Sequence, residues 1–102
     1  QREATRMTWN EIIDSLYPGM LYAVDWKLCA YLYESTNQGT EPVSRTQTSL
    51  AQLTGISRAS VIRASYRLKA KGIISVEKIY GKMARRDEPM LEYTWTWSPK
   101  DV

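Results

Sequence analysis

Arg58, Arg63 and Arg67 recur at intervals of five and four, in a stretch that also holds Ser57, Ala59, Ser60 and Tyr66. Forked guanidinium donors among short hydroxyl and methyl side chains suit two kinds of chemistry: neutralising phosphate and hydrogen bonding to the edges of bases. A second basic group, Lys82, Arg85 and Arg86, follows in GKMARRDEP. Counted by segment, residues 1–56 hold four basic and six acidic residues, residues 57–86 hold nine against Glu77 alone, and residues 87–102 hold one against four. Segment charges of −2, +8 and −3 therefore lie inside a formal net charge of only +3. A polyanion is the partner such a distribution suits, and nucleic acid is the first candidate.

Other chemistry is closed by absences. With no histidine and a single cysteine, Cys29, the chain has no Cys/His zinc set, no Ser-His or Cys-His nucleophile pair and no internal disulfide. Glu11 and Asp14, three apart, are read as a solvated helix face rather than as an acid/base pair. No catalytic residue, metal or cofactor is assigned, no small-molecule substrate is evident, and an enzyme is not expected. Cys29 lies on an apolar stripe with nothing basic beside it, which makes it a core residue. One thiol suits a reducing compartment and no apolar run approaches the roughly 18 residues of a membrane span, so a cytoplasmic protein without membrane contact is expected. At 102 residues, 43% hydrophobic and 25% charged, the chain fits one soluble globular domain. It opens on Gln1 with no charged-then-apolar leader, the expectation for a fragment of a longer protein.

Several elements must position the basic residues. TWNEIIDSLY, residues 8–17, spaces Trp9, Ile12, Ile13 and Leu16 as one helical face, with Thr8 and Glu11 as a capping box and Pro18-Gly19 as the stop. A second helix is expected from Asp25, taken as its N-cap, with Trp26, Leu28, Cys29, Leu32 and Tyr33 inward, before a loop over 37–45 in which Pro42-Val43 is a candidate edge strand. From Thr46, Leu50, Ala51 and Leu53 are assigned to the packed face of a short helix. Gly55 breaks that helix, Ile56 plugs the turn, and Ser57 caps a helix running to about Lys71. At about 100° per residue, Val61, Ala64, Ser65 and Leu68 fall on one arc of this helix. Ala59, Arg63, Tyr66 and Ala70 fall opposite, with Arg67 at the edge. After Gly72, IISVEKIY and MLEYTWTW alternate in period two and are joined by the basic loop GKMARRDEP, which predicts a hairpin. Leu91, Tyr93, Trp95 and Trp97 share one face of its second strand. Trp9, Trp26, Trp95 and Trp97 are read as packing residues rather than stacking platforms for unpaired bases.

The run SLAQLTGISRASVIRASYRLKAKGII, residues 49–74, resembles the helix-turn-helix and first wing residues of bacterial winged-helix DNA-binding domains. The resemblance rests on Ala51, Gly55, Ile56, Val61, Leu68 and Lys71-Gly72-Ile73, and extends over about residues 22–97. It implies a mainly α fold with a small β-hairpin (α+β): a winged helix-turn-helix of three core helices, an extra N-terminal helix and a C-terminal two- to three-stranded wing. One domain over 1–102 is expected, with the N-terminal helix at 8–17, the helix-turn-helix at 46–71 and the wing hairpin at 73–97. MarR-like and GntR-like regulators share this turn. The approach AVDWKLCAYLYESTNQ ahead of VSRTQTSLAQLTGIS is also similar to the N-terminal origin-binding domains of phage and plasmid replication initiators, and no dimerisation helix of the MarR-like kind follows the wing.

By that resemblance the partner is double-stranded DNA, bound in sequence-specific fashion for replication initiation of a plasmid- or phage-type element or for transcriptional regulation. The recognition helix, 57–71, would enter the major groove N-terminus first. Ser57, Ala59, Ser60 and Arg63 would face base edges, Arg63 as a bidentate partner of guanine and Ala59 against a thymine methyl. Arg58, Tyr66 and Arg67 would hold phosphates, as would Thr46, Gln47 and Thr48 across the groove. Lys82, Arg85 and Arg86 would reach the adjacent minor groove or its phosphates. The apolar face of residues 9–17 has two uses open to it: packing on its own core, or a two-fold contact that makes a homodimer. The alternative to DNA binding is a winged helix that takes a protein partner through Trp9, Ile12, Ile13 and Leu16 or through the hairpin edge.

Overall fold

The computed structural model describes residues 11–12, 22–85 and 88–97, with side chains of that last stretch and of residues up to Ile79. Of the helix expected over 8–17, Glu11 and Ile12 are helical and the rest lies outside the described residues. Ile12 is 1% exposed and belongs to the core of its own chain.

Helix α1, Ala23–Ser35, starts ahead of the expected cap, because Tyr22 holds the N-cap position without a side-chain bond. Asp25 instead sits in the first turn, 1% exposed. Its carboxylate favours that end of the helix dipole, and its oxygens receive the Arg67 guanidinium through three contacts of 2.8–3.1 Å. Thr36 closes α1, its hydroxyl donating 2.7 Å to the Leu32 carbonyl. Asn37, Gln38 and Gly39 then take positive φ in succession. A Cβ on Gly39 would stand 2.8 Å from the Trp95 ring, so this turn needs glycine both for its φ of +84° and for room.

Strand β1, Val43–Arg45, is the expected edge strand, one residue later than placed. Helix α2, Gln47–Thr54, follows from the N-cap Thr46, whose side chain accepts the Ser49 N–H at 3.0 Å. Leu53 departs from its expected place, being 54% exposed, while Thr54 is buried. Thr54 lies a full turn after Leu50 and satisfies its own hydroxyl on the Leu50 carbonyl at 2.6 Å, so a polar residue holds the inner position. Gly55, at φ +78°, ends α2 in the left-handed conformation that the turn requires. Helix α3, Arg58–Ala70, begins at the cap Ser57, which accepts the Ser60 N–H at 3.1 Å. Val61, Ala64 and Leu68 are fully buried, as their spacing requires.

Strands β2, Ile74–Arg85, and β3, Glu88–Trp95, form the hairpin, and the sheet order is β1-β3-β2, antiparallel throughout. The basic loop expected over 81–89 is shorter than that, since pairing continues outward to Met83↔Pro89 and Arg85↔Glu88. Register shifts between Ile79 and Met83 and again before Arg85 accompany this extension. Gly81 and Pro89, which look like loop residues in sequence, are tolerated in an interrupted ladder. Tyr93 on the central strand is 1% exposed, and Trp95 meets Tyr33 edge-on with ring centroids 5.0 Å apart.

One core therefore joins α1, α2, α3 and the sheet through Leu28, Leu32, Leu50, Leu68, Ile73 and Tyr93. Removing one partner of a buried ion pair strands the other. Asp25→Ala is expected to lower unfolding free energy by about 3 kcal/mol, measured by urea denaturation.

Candidate nucleic-acid interface

With Val61, Ala64 and Leu68 turned inward, α3 offers Ala59, Arg63 and Tyr66 to solvent on its opposite side. Arg63 is exposed and holds no hydrogen bond or ion pair to a described residue. Tyr66 is 69% exposed. Ser57 and Ser60 lie at the head of the same helix, the Ser57 hydroxyl donating to the Ser60 oxygen at 3.0 Å, so the two serines bond to each other as well as capping the helix.

The three arginines of α3 have different surroundings. Arg58 is half-exposed and donates 2.9 Å to the Gln47 side-chain oxygen, with its Nε 3.5 Å from Glu88. Arg63 is open. Arg67, expected on phosphate, faces α1 instead, where Asp25 takes its donors and the Tyr22 ring lies 4.2 Å from the guanidinium carbon. That arrangement makes it a helix-to-helix joint.

At α2, Thr46 is buried and its side chain caps the helix. Gln47 receives Arg58, and Thr48 donates both its backbone N–H, at 3.0 Å, and its hydroxyl, at 2.9 Å, to Glu88. Burial by itself would raise the Glu88 carboxyl, but the two Thr48 bonds and the nearby Arg58 outweigh it and hold the group below the usual carboxylate range. Glu88 is the main site residue that sequence reasoning missed. In sequence it is one carboxylate of the run GKMARRDEP, and its partners Thr48 and Arg58 stand forty and thirty residues earlier in the chain.

Lys82 and Arg85 lie in the outer part of β2, and Arg86 falls outside the described residues. Between α3 and the hairpin runs a cavity of about 170 Å³, with Ile62, Val76, Leu91 and Tyr93 as apolar walls and Gln47, Tyr66 and Lys69 among its polar groups. Lys69 is another cation that was not singled out in sequence, although it lies one turn beyond Ser65 on the wing side of α3. No helix among the described residues is long and apolar enough to cross a membrane.

A short helix, a left-handed glycine turn, a second helix with one face buried and one face open, and a β-hairpin beside it define a winged helix-turn-helix, a DNA-binding fold. The Crp-like helix-turn-helix domain family matches residues 27–93, from within α1 to Tyr93 of the central strand, and the chain belongs to that family. No curated protein matches the chain.

Burial pushes the Cys29 thiol up to about 12, with the Asp25 charge adding to the effect. Very little thiolate exists at neutral pH in the folded state. Iodoacetamide at pH 8 is expected to leave Cys29 unmodified in the native protein and to label it readily in concentrated urea, as read by intact mass.

Proposed function

We propose that this chain is a sequence-specific double-stranded DNA-binding domain, one winged-helix unit over residues 1–102, that lays α3 in the major groove and its basic hairpin along the neighbouring backbone. The observation that carries this reading is Arg63, an arginine without a partner among the described residues, at the centre of the exposed face of a helix whose opposite face is fully buried. A free guanidinium on a rigid helix loses little entropy when it meets the paired acceptors of guanine. Ala59 and Ser60, one turn earlier, are short enough to let the backbone approach the base edges. Ser57 stands at the helix start, where unsatisfied amides and the dipole favour phosphate.

Arg58, Gln47 and Thr48 flank that strip on the α2 side, and Tyr66 with Lys69 flanks it on the wing side. Lys82, Arg85 and Arg86, the basic residues between Ile79 and Glu88 in the sequence, are assigned by this reading to the neighbouring backbone. Thr46 and Arg67 serve the fold in this reading, because burial and Asp25 occupy them. Two uses of the domain remain in view. Recognition of tandem direct repeats suits an origin-binding domain of a replication initiator, and recognition of a palindrome suits a dimeric transcriptional regulator.

Selection of bound duplexes from a random pool tests the proposal directly. A defined consensus is expected, and failure to enrich any sequence contradicts it. Binding to the selected site should weaken with salt at a log–log slope of about −4, at roughly 0.9 per neutralised phosphate, and should change little between pH 6 and 8 because the chain has no histidine. Arg63→Ala is expected to lose about 1–3 kcal/mol of discrimination at one base position, whereas Arg86→Ala weakens all duplexes alike and lowers the salt slope by about 1. Fluorescence anisotropy on consensus and single-substituted duplexes separates the two effects.

A further inference from the structure

The groups on the α2 side of the interface already hold an anion. Oε2 of Glu88 accepts the Thr48 N–H at 3.0 Å and the Thr48 hydroxyl at 2.9 Å, and lies 3.5 Å from Nε of Arg58. A second nitrogen of Arg58 donates to Gln47 at 2.9 Å, which fixes the guanidinium over the same place. A single oxygen thus collects a backbone amide, a hydroxyl and a guanidinium from both helices of the helix-turn-helix. An oxygen of a DNA phosphate takes the same set of donors.

The location of this cluster matters as much as its composition. Arg58 remains half-exposed, so the contact lies at the surface, while the Glu88 side chain is 12% exposed. Glu88 is the first residue of β3, so its contact ties the start of that strand to the head of α2. Its carboxylate is held by Thr48 and Arg58, two residues that the proposed function places against the DNA backbone.

We propose that Glu88 is an internal competitor for one phosphate of bound DNA. In the free protein its carboxylate occupies the donors of Thr48 and Arg58, and on binding a backbone phosphate exchanges with it. This rests on the DNA-binding reading and adds a specific residue that lowers affinity. The exchange lowers affinity for every duplex whose phosphate takes this place, and the cost, paid in the free protein, is common to the selected and the unrelated sequence.

Glu88→Gln tests it, since glutamine keeps an acceptor for Thr48 but loses the charge. Glu92→Gln is the control: it removes an equal charge from the same strand, opposite Ser44 in the register. Each variant of the 102-residue chain is titrated with a duplex of unrelated sequence and with the selected site over a range of salt, after thermal melts confirm folding. Glu88→Gln should bind the unrelated duplex on the order of tenfold more tightly than wild type, with a salt slope steeper by about 0.9. It should bind the selected site more tightly by the same factor, leaving the discrimination between the two duplexes unchanged. Adding Thr48→Val to Glu88→Gln should abolish most of the gain. Equal behaviour of Glu88→Gln and Glu92→Gln, or weaker binding by Glu88→Gln, overturns the proposal. If wild type binds no duplex at all, the DNA-binding reading fails and this inference with it.

Discussion

The bidentate contact between Asp25 and Arg67 fixes how α3 is rolled on α1, and the exposed face of the domain follows from that roll. Asp25 is buried, with its oxygens turned to one guanidinium, so α3 cannot rotate without leaving a carboxylate stranded in the interior. The same roll buries Val61, Ala64 and Leu68, of which burying the valine and leucine contributes about 1.5–3 kcal/mol each. Packing and ion pair therefore specify one orientation together. Arg63 is thrown outward as the geometric complement of those contacts, with no hydrogen bond or ion pair to a described residue to hold it there.

Arginine has three distinct uses on this one helix, and the difference lies in what surrounds each side chain. Arg67 lies under the Tyr22 ring and against Asp25, so its charge serves packing between helices. Arg58 is half-exposed and shared between Gln47 and Glu88, a contact weak enough to exchange. Arg63 is exposed and has no hydrogen bond or ion pair to a described residue. The +8 carried by residues 57–86 is thus an upper bound on the charge offered to a polyanion. Part of it is neutralised internally before any DNA arrives.

Local physics was legible in the sequence, and long-range pairing was not. Ser57 caps its helix, Gly55 turns left-handed, and the inner arc of α3 is buried, because each of these depends on neighbours within about four residues. Asp25 was expected as a helix cap because local pattern offers an aspartate before an apolar stripe no other role. Its partner stands forty-two residues later. Glu88, whose partner Thr48 stands forty residues earlier, was not singled out for the same reason, and the length of the hairpin was misread because Gly81 and Pro89 signal a loop although cross-strand pairing carries β2 to Arg85. Leu53 and Thr54 exchange expected places because a threonine can satisfy its hydroxyl on the preceding turn and accept burial.

In the proposed function the outer face of α3 is the surface that meets DNA, with α1 packed behind it. Titration of the isotope-labelled chain with a selected duplex, followed by amide chemical shifts, addresses that assignment residue by residue. The largest shifts should fall on residues 57–66 and on Gln47 and Thr48, while Leu28 to Tyr33 of α1 stay in place. Shifts confined to α1, with residues 57–66 unmoved at saturating DNA, would contradict it.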